Sequence, residues 1–523
     1  MRFLALAVGI LTALVNAQGE PLKIAGRVVN GVTGEALENV RVSMFRSGQE
    51  LSTSITKSDG RFQFFAEKGT YHLFAERTDF GRQGYGRHPG GFGVAIIADG
   101  ATASDNLVFR LFPPSAISGK VLDTAGEPVE NALVHLIRAS VVWGRRKLVT
   151  QGFAHADDRG RFRFGRLTSG NYYMIASGTP WHSGQGEAQS QRPAATFLPS
   201  HFPNSNSVKN AAPLVLRAGE EAEADFTLTE RPGYGIQLHV EGEIARGAQV
   251  QLKAEGLGSL DRFQYSGALY GNDLSIPAVA PGSYELIVEG QNKGRTVAAS
   301  ARVKPSTAKV SVLVTPRPLP RVTGKLTCDG RAPSSVSTLR VISWDETLNA
   351  PTTQSISPEG DFEFPALRKG RILLSTVGAD CYSSRLLRDG QEVPNRWLMV
   401  EGEDISGITI EGLSGVAEVK GFVRRGANKI EGVFALLAPT KDSSDPGDFH
   451  AFTTDSDGSY AFWNVRPGEY WLYAVDEDDF EFANRQVIAS HLKGAERILV
   501  LPGRKYEKDI QLLGGGDRPA PFF

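Results

Sequence analysis

A zinc enzyme, a serine hydrolase and a phosphate-binding enzyme each need a few side chains at fixed spacing, and this chain supplies none of those spacings. The histidines are His72, His88, His135, His155, His182, His201, His239, His450 and His491, and none forms a His-Glu-x-x-His or His-x-x-Glu pair that would hold a catalytic zinc. No Gly-x-Ser-x-Gly elbow offers an activated serine. The stretch Gly81 to Gly93 is rich in glycine but lacks Walker A spacing and a strand-to-helix context. Asp455-Ser456-Asp457-Gly458 resembles a fragment of a calcium loop, yet no bidentate glutamate follows at the required distance, so a capped β-turn is the better reading. Asp476, Glu477, Asp478, Asp479 and Glu481 read as a solvated acidic loop. These residues assign no catalytic group, no metal and no cofactor. An enzyme with a non-standard site, drawing on His182, His201 and Asp157, is the weakest of the readings.

Aromatic residues in long loops are the remaining candidates for binding. Tyr85 and Phe92 lie in a first insertion, Phe80 to Gly100, and Trp181, Phe197 and Phe202 in a second, Trp181 to Asn210. An aromatic face flanked by polar groups suits a sugar ring, and loops on a rigid scaffold are where binding residues usually sit. The competing reading is that these rings pack back onto the scaffold or between its parts. Trp463 and Trp471 stand at strand positions and read as core or cross-strand packing.

The elements that must position these loops follow one phrase. A polar turn, a glycine and alternating aromatics lead into a Gly-x-Tyr step, as in Asp158-Arg159-Gly160-Arg161-Phe162-Arg163-Phe164 followed by Gly170 and Tyr172. Copies begin at Ser58 and Asp457, and weaker ones run from Glu359 and Asp273. Each repeat opens on a strand of apolar-x-Gly-x-apolar type, such as Ile24-Ala25-Gly26-Arg27-Val28 or Val419-Lys420-Gly421-Phe422-Val423. Each ends on an alternating strand such as Leu107 to Leu111 or Val310 to Val314. Period-two alternation between turn residues marks half-buried strands, and a long fixed repeat marks an array. Helical periodicity is scarce. The expectation is an all-β tandem array of five antiparallel, seven-stranded β-sandwich modules. The expected division is a signal peptide at 1–17, modules at 18–113, 114–231, 232–318, 319–413 and 414–515, and a disordered tail at 516–523.

The pattern Gly-x-Val, Gly-x-x-Val-x-x-Ala-x-Val, Asp-x-x-Gly-x-Phe-x-Phe and Leu-x-x-Gly-x-Tyr resembles the carboxypeptidase regulatory-like module. Its relatives are the transthyretin-like, Cna-B-type and starch-binding-like sandwiches. The likeness runs over nearly the whole chain after the leader, strongly in modules one, two and five. It implies a transthyretin-like sandwich, also described as a carbohydrate-binding-like fold, of a secreted bacterial kind. Phe197 to Leu228 also resembles secreted repeat proteins of soil bacteria. Cna-B relatives often carry a Lys–Asn isopeptide crosslink with a nearby glutamate. The matching positions here read Ala75, Ala176 and Ala474, so the resemblance implies no such crosslink in those modules.

Arg2, the apolar run Phe3 to Val15 and the small residues at Val15-Asn16-Ala17 read as a secretory signal, too short to span a bilayer. Export would favour one disulfide between Cys328 and Cys381, which share the fourth repeat, worth roughly 4 kcal/mol in the chain-entropy account. A net charge of −1 argues against nucleic acid or an anionic membrane surface as the main partner. The expectation is a non-catalytic protein, secreted, periplasmic or at the cell surface. It binds a polysaccharide or another envelope component through the loops of modules one and two. The alternative is a structural or adhesive spacer that contacts a protein partner, and loop aromatics buried against neighbouring modules would be its sign.

Overall fold

The computed structural model describes residues 21–86, 93–100, 104–181, 195–206, 208–254, 263–306, 309–333, 340–345, 352–377, 381–443, 445–477 and 479–513. The leader, the tail and Phe92 lie outside these. More than half of the described residues are strand, joined by turns and loops, and they form ten sheets. Most buried side chains gather into five large clusters that follow one another along the chain, from Ile24–Leu111 to Ala417–Ile510. Each fills the space between two sheets, which makes a sandwich.

Every sandwich has the same plan. The opening strands are Leu22–Asn30, Ser115–Asp123, Tyr234–Val240, Val322–Cys328 and Ala417–Arg425. Each pairs antiparallel with the strand that follows the polar turn, and parallel with the strand that closes the sandwich. The facing sheet holds a hairpin and the Gly-x-Tyr strand, for example Leu133–Val142, Arg145–His155 and Gly170–Ser177. Alternation along a strand gives its two faces but not the direction of its neighbour, so the recurring parallel pair is a finding of the structure alone.

The repeated residues now have physical reasons. A Cβ on Gly26, Gly119, Gly324 or Gly421 would overlap the carbonyl oxygen of Leu107, Ala224, Ile408 or Lys508, which lie in the closing strand or in the break just before it. Only glycine lets the two chains approach this closely. The turn glycine needs its own freedom, with φ of +72° at Gly160 and +77° at Gly458. The tyrosine of the Gly-x-Tyr step is buried in the first, second, third and fifth sandwiches. Its hydroxyl donates to a carbonyl four residues back: Tyr71 to Glu67, Tyr172 to Thr168, Tyr284 to Ala280 and Tyr470 to Arg466, at 2.7–2.9 Å. In the fourth sandwich Ile372 takes this place. Tyr172→Phe should lower stability by about 1 kcal/mol, because it removes a hydrogen bond and keeps the ring. Chemical denaturation of the whole chain checks this.

The cysteine expectation holds: Cys328 and Cys381 form a disulfide across 53 residues. Cys328 ends the opening strand of the fourth sandwich, and Cys381 is buried in its core. Helix is almost absent, the one described α-helix being Arg485–Ala489. Among the described residues no helix is long and apolar enough to cross a membrane.

Candidate functional site

The five aromatic candidates do not converge on one exposed face. Tyr85 is 3% exposed and edge-on to Phe109 at 5.4 Å, inside the first sandwich. Its hydroxyl reaches both carboxylate oxygens of Glu431, at 3.3 Å each, in the last sandwich. Burial first, and the charge of Glu431 second, push the phenol above its ordinary range. Phe197 belongs to the core of the second sandwich. Phe202 packs on that core, 6.4 Å from the Phe226 ring. Trp181 is 80% exposed. The expectation of displayed rings therefore needs correction at Tyr85 and Phe197, whose apolar surface the sandwiches themselves take up.

Tyr85 instead marks a junction. Ser456 of the last sandwich donates its amide to the Ala95 carbonyl at 2.9 Å, and its hydroxyl oxygen accepts the Ile97 amide at 3.0 Å. Ala95–Ala98 is an edge strand of the first sandwich, and one turn of the last sandwich satisfies its open side.

A second junction holds the last sandwich to the second. The tip of the hairpin Leu133–Val142/Arg145–His155 meets the insertion that follows Val475. The Gly144 carbonyl accepts the Ala483 amide at 2.8 Å, and Arg146 pairs with Glu481 at 2.9 Å. A Cβ on Gly144 would meet Phe482 at 2.6 Å and Ala483 at 2.7 Å, so glycine is needed for contact as well as for its φ of +75°. The acidic loop is thus not simply solvated. Burial would raise the Glu481 carboxyl, but Asn484 and Arg146 bring it below the usual range. Asp476 faces Arg425 at 3.7 Å, and Asp478 lies outside the described residues. Under this insertion Tyr473, Phe480 and Ile488 form a small cluster on the outer face of the sheet, and Trp471 packs against it half-buried. Trp463 remains 57% exposed, edge-on to Phe452 at 5.9 Å.

The third junction, between the fourth and last sandwiches, buries charge. Asp445 is 1% exposed and accepts from Arg466 at 2.6 Å, Arg396 at 2.8 Å, the Ser375 hydroxyl at 3.1 Å and the Gly447 amide at 2.8 Å. Arg466 also holds Asp448, at 2.5 Å. Burial would raise the Asp445 carboxyl, but the two guanidinium groups outweigh it and hold the group well below the usual carboxylate range. The same burial, helped by the charge of Arg466, lowers the nearby His450 imidazole to about 4. Arg396 reaches in from a strained turn, since Asn395 and Arg396 both have positive φ, 52° and 62°.

The chain matches no sequence profile of a known family and no curated protein. Among solved structures it is similar to the Bacillus anthracis TIE protein, at 10% identity over 76% of this chain and 70% of that one, with a TM-score of 0.17. It is similar to a streptococcal ancillary pilin at 12% identity over 55% of this chain and 99% of that one, TM-score 0.16. A third is the major pilin subunit of Bacillus cereus, at 12% identity over 76% and 99%, TM-score 0.15. Whole chains with scores this low do not superpose, so no property of those proteins passes to this one.

Where the second, fourth and last sandwiches meet lies a cleft of about 790 Å³. Arg145, Glu392 and Asn395 form charged and polar walls, and Phe449, Trp471 and Ile488 an apolar floor. Beside it, Ser490 Oγ lies 2.9 Å from His491 Nδ1, and His491 Nε2 lies 3.0 Å from Glu477. Nucleophile, imidazole and carboxylate in that order suggest a hydrolase. The hydrogen bonds run otherwise. Ser490 donates to the Val487 carbonyl at 2.7 Å, and Nδ1 lies 3.1 Å from that same carbonyl, which can only accept. The Val487 carbonyl thus lies within reach of both the serine hydroxyl and Nδ1, so neither is dedicated to the other. The three residues close the helix end and pin the insertion. Sequence spacing gave no sign of them. Among the described residues no three His, Cys, Asp or Glu groups could hold a metal ion.

Proposed function

We propose that the chain is a non-catalytic, exported structural protein of the cell envelope. Its five modules, at 18–113, 114–231, 232–318, 319–413 and 414–515, are of the carboxypeptidase regulatory-like type and act as one scaffold that contacts a protein partner. The observation that carries this reading is the burial of Tyr85 and its bond to Glu431: a ring fit for a ligand is used to hold two modules together. The Cys328–Cys381 disulfide supports export, since disulfides persist in oxidising compartments. The cleft beside Trp471 gives a peptide segment both apolar and charged contacts. The test is retention of the chain from residue 18 onward on a panel of polysaccharides and peptidoglycan. The scaffold reading predicts none above background. Retention on one glycan that Trp181→Ala abolishes, with folding intact, would overturn it in favour of carbohydrate binding.

A further inference from the structure

The turn before the aromatic strand holds a residue that caps the amides ahead of it in the first, second, fourth and last sandwiches. In the second sandwich this is Asp157, whose carboxylate accepts the amides of Arg159 at 3.0 Å and Arg161 at 2.7 Å and pairs with the Arg161 guanidinium at 2.9 Å. These contacts, the Arg161 amide foremost, hold it below the usual carboxylate range. Asp455 stands at the same place in the last sandwich. The Gly458 amide donates to its carbonyl at 2.8 Å, as the Gly160 amide donates to Asp157 at 2.9 Å.

The surroundings of the two acids are opposite. Asp457 stands where the second sandwich has Arg159, and Ser459 where it has Arg161. The carboxyl thus meets a like charge in place of cations. The turn is also pressed against the first sandwich by the Ser456 bonds to Ala95 and Ile97, and Asp457 beside it is 8% exposed. Facing Asp455 are Asp457 and the Ser459 hydroxyl on its own turn, and the Ala95 amide across the junction. Charged groups nearby include Glu431, bonded to Tyr85, Arg110, whose charge acts on Tyr85, and Lys429, which packs against the turn at Gly458.

We infer that this junction is a proton-dependent latch: the first and last sandwiches dock with Asp455 neutral, and docking weakens as that carboxyl ionises. Burial first, and the Asp457 charge second, push the carboxyl up to about 7, against the opposing pull of Ala95 and Ser459. Undocked and solvated, it returns toward 3.8. A carboxyl with a raised value in the docked state takes up a proton on docking. Docking is strongest below the undocked value, weakens by up to about tenfold per pH unit through the window to about 7, and is flat above it.

Amide hydrogen exchange of the full chain tests this, read on the segments holding Ile97 and Ser456 and corrected for the intrinsic pH dependence of exchange. Protection should fall at least tenfold between pH 5 and pH 7.5, while the core of the second sandwich stays unchanged. Asp455→Asn should keep protection high at both pH values, and Glu431→Gln should retain the pH dependence. Equal protection at both pH values in the unmodified chain would overturn the latch and leave docking in place. Loss of the dependence in Glu431→Gln, with Asp455→Asn unaffected, would also overturn it. No protection at either pH would remove the docking on which the latch rests.

Discussion

Asp445→Ala is expected to lower the stability of the fourth and last sandwiches by about 3–5 kcal/mol, the usual cost of leaving buried charge without its partner. Arg466 and Arg396 are mostly buried, and both aim a guanidinium at the lost carboxylate. Asp448 would still hold Arg466, but Arg396 would keep only its bonds to Ser383. The pair Arg485–Asp442 at 2.7 Å is a matched control, because Asp442 is 87% exposed. Asp442→Ala should cost less than about 1 kcal/mol, since water and salt screen such pairs. The Asp445 value is depressed, so its contribution is complete above the ordinary carboxylate range and fades as the pH falls through about 2. Denaturant unfolding of both variants at neutral pH decides the matter, and equal effects would show that the buried network contributes no more than a surface pair.

Gly119→Ala is expected to cost about 3 kcal/mol, at the upper end of the range for overpacking a filled core. The new methyl group would overlap the Ala224 carbonyl oxygen and crowd the Phe162 ring at 3.1 Å. A flexible side chain could swing away from such a clash, but here the obstacle is backbone. The closing strand would have to move off, which breaks the parallel pairing of Ser115–Asp123 with Phe226–Pro232. Gly126→Ala separates this effect from plain loss of glycine. Its φ is +83° and nothing lies within 4 Å of the added atom, so only the left-handed conformation is penalised, by about 1 kcal/mol. Thermal unfolding that ranks the two variants the other way round would refute the close-approach explanation of the repeat.

The strands were legible in the sequence because their cause is local. Alternation in Arg61–Ala66 or Arg161–Leu167 places Phe62, Phe64, Phe162 and Phe164 inward whatever lies elsewhere. The turn glycines were legible for the same reason. The opening glycines were visible as a pattern but not as a cause, since the carbonyl each one faces lies some eighty to one hundred residues away in the sequence. The junctions were not legible. Tyr85 and Glu431 are 346 residues apart, and no periodicity links them. A tyrosine in a glycine-rich insertion satisfies a ligand loop and a docked loop equally well. Arg466, in the polar turn before Gly468, reads as a surface residue until the fourth sandwich is placed against it. One clue was present: Asp455 and Asp457 lack the arginines of the second copy, and that departure falls at a junction.

The last sandwich docks back onto earlier ones, so residues 335 apart in the sequence should be joined by a short crosslink. With Arg146→Cys and Glu481→Cys in the full chain, a bismaleimide about 8 Å long should bridge the two thiols, as their parent side chains meet at 2.9 Å. The disulfide between Cys328 and Cys381 leaves no native thiol to compete. At high dilution, peptide mass mapping should find one intramolecular bridge in most molecules. In an end-to-end string the two sites would be separated by at least two sandwiches, each about 30 Å long from the rise of a nine-residue strand. Only singly modified thiols, or bridges only between molecules, would show that the last sandwich does not dock onto the second.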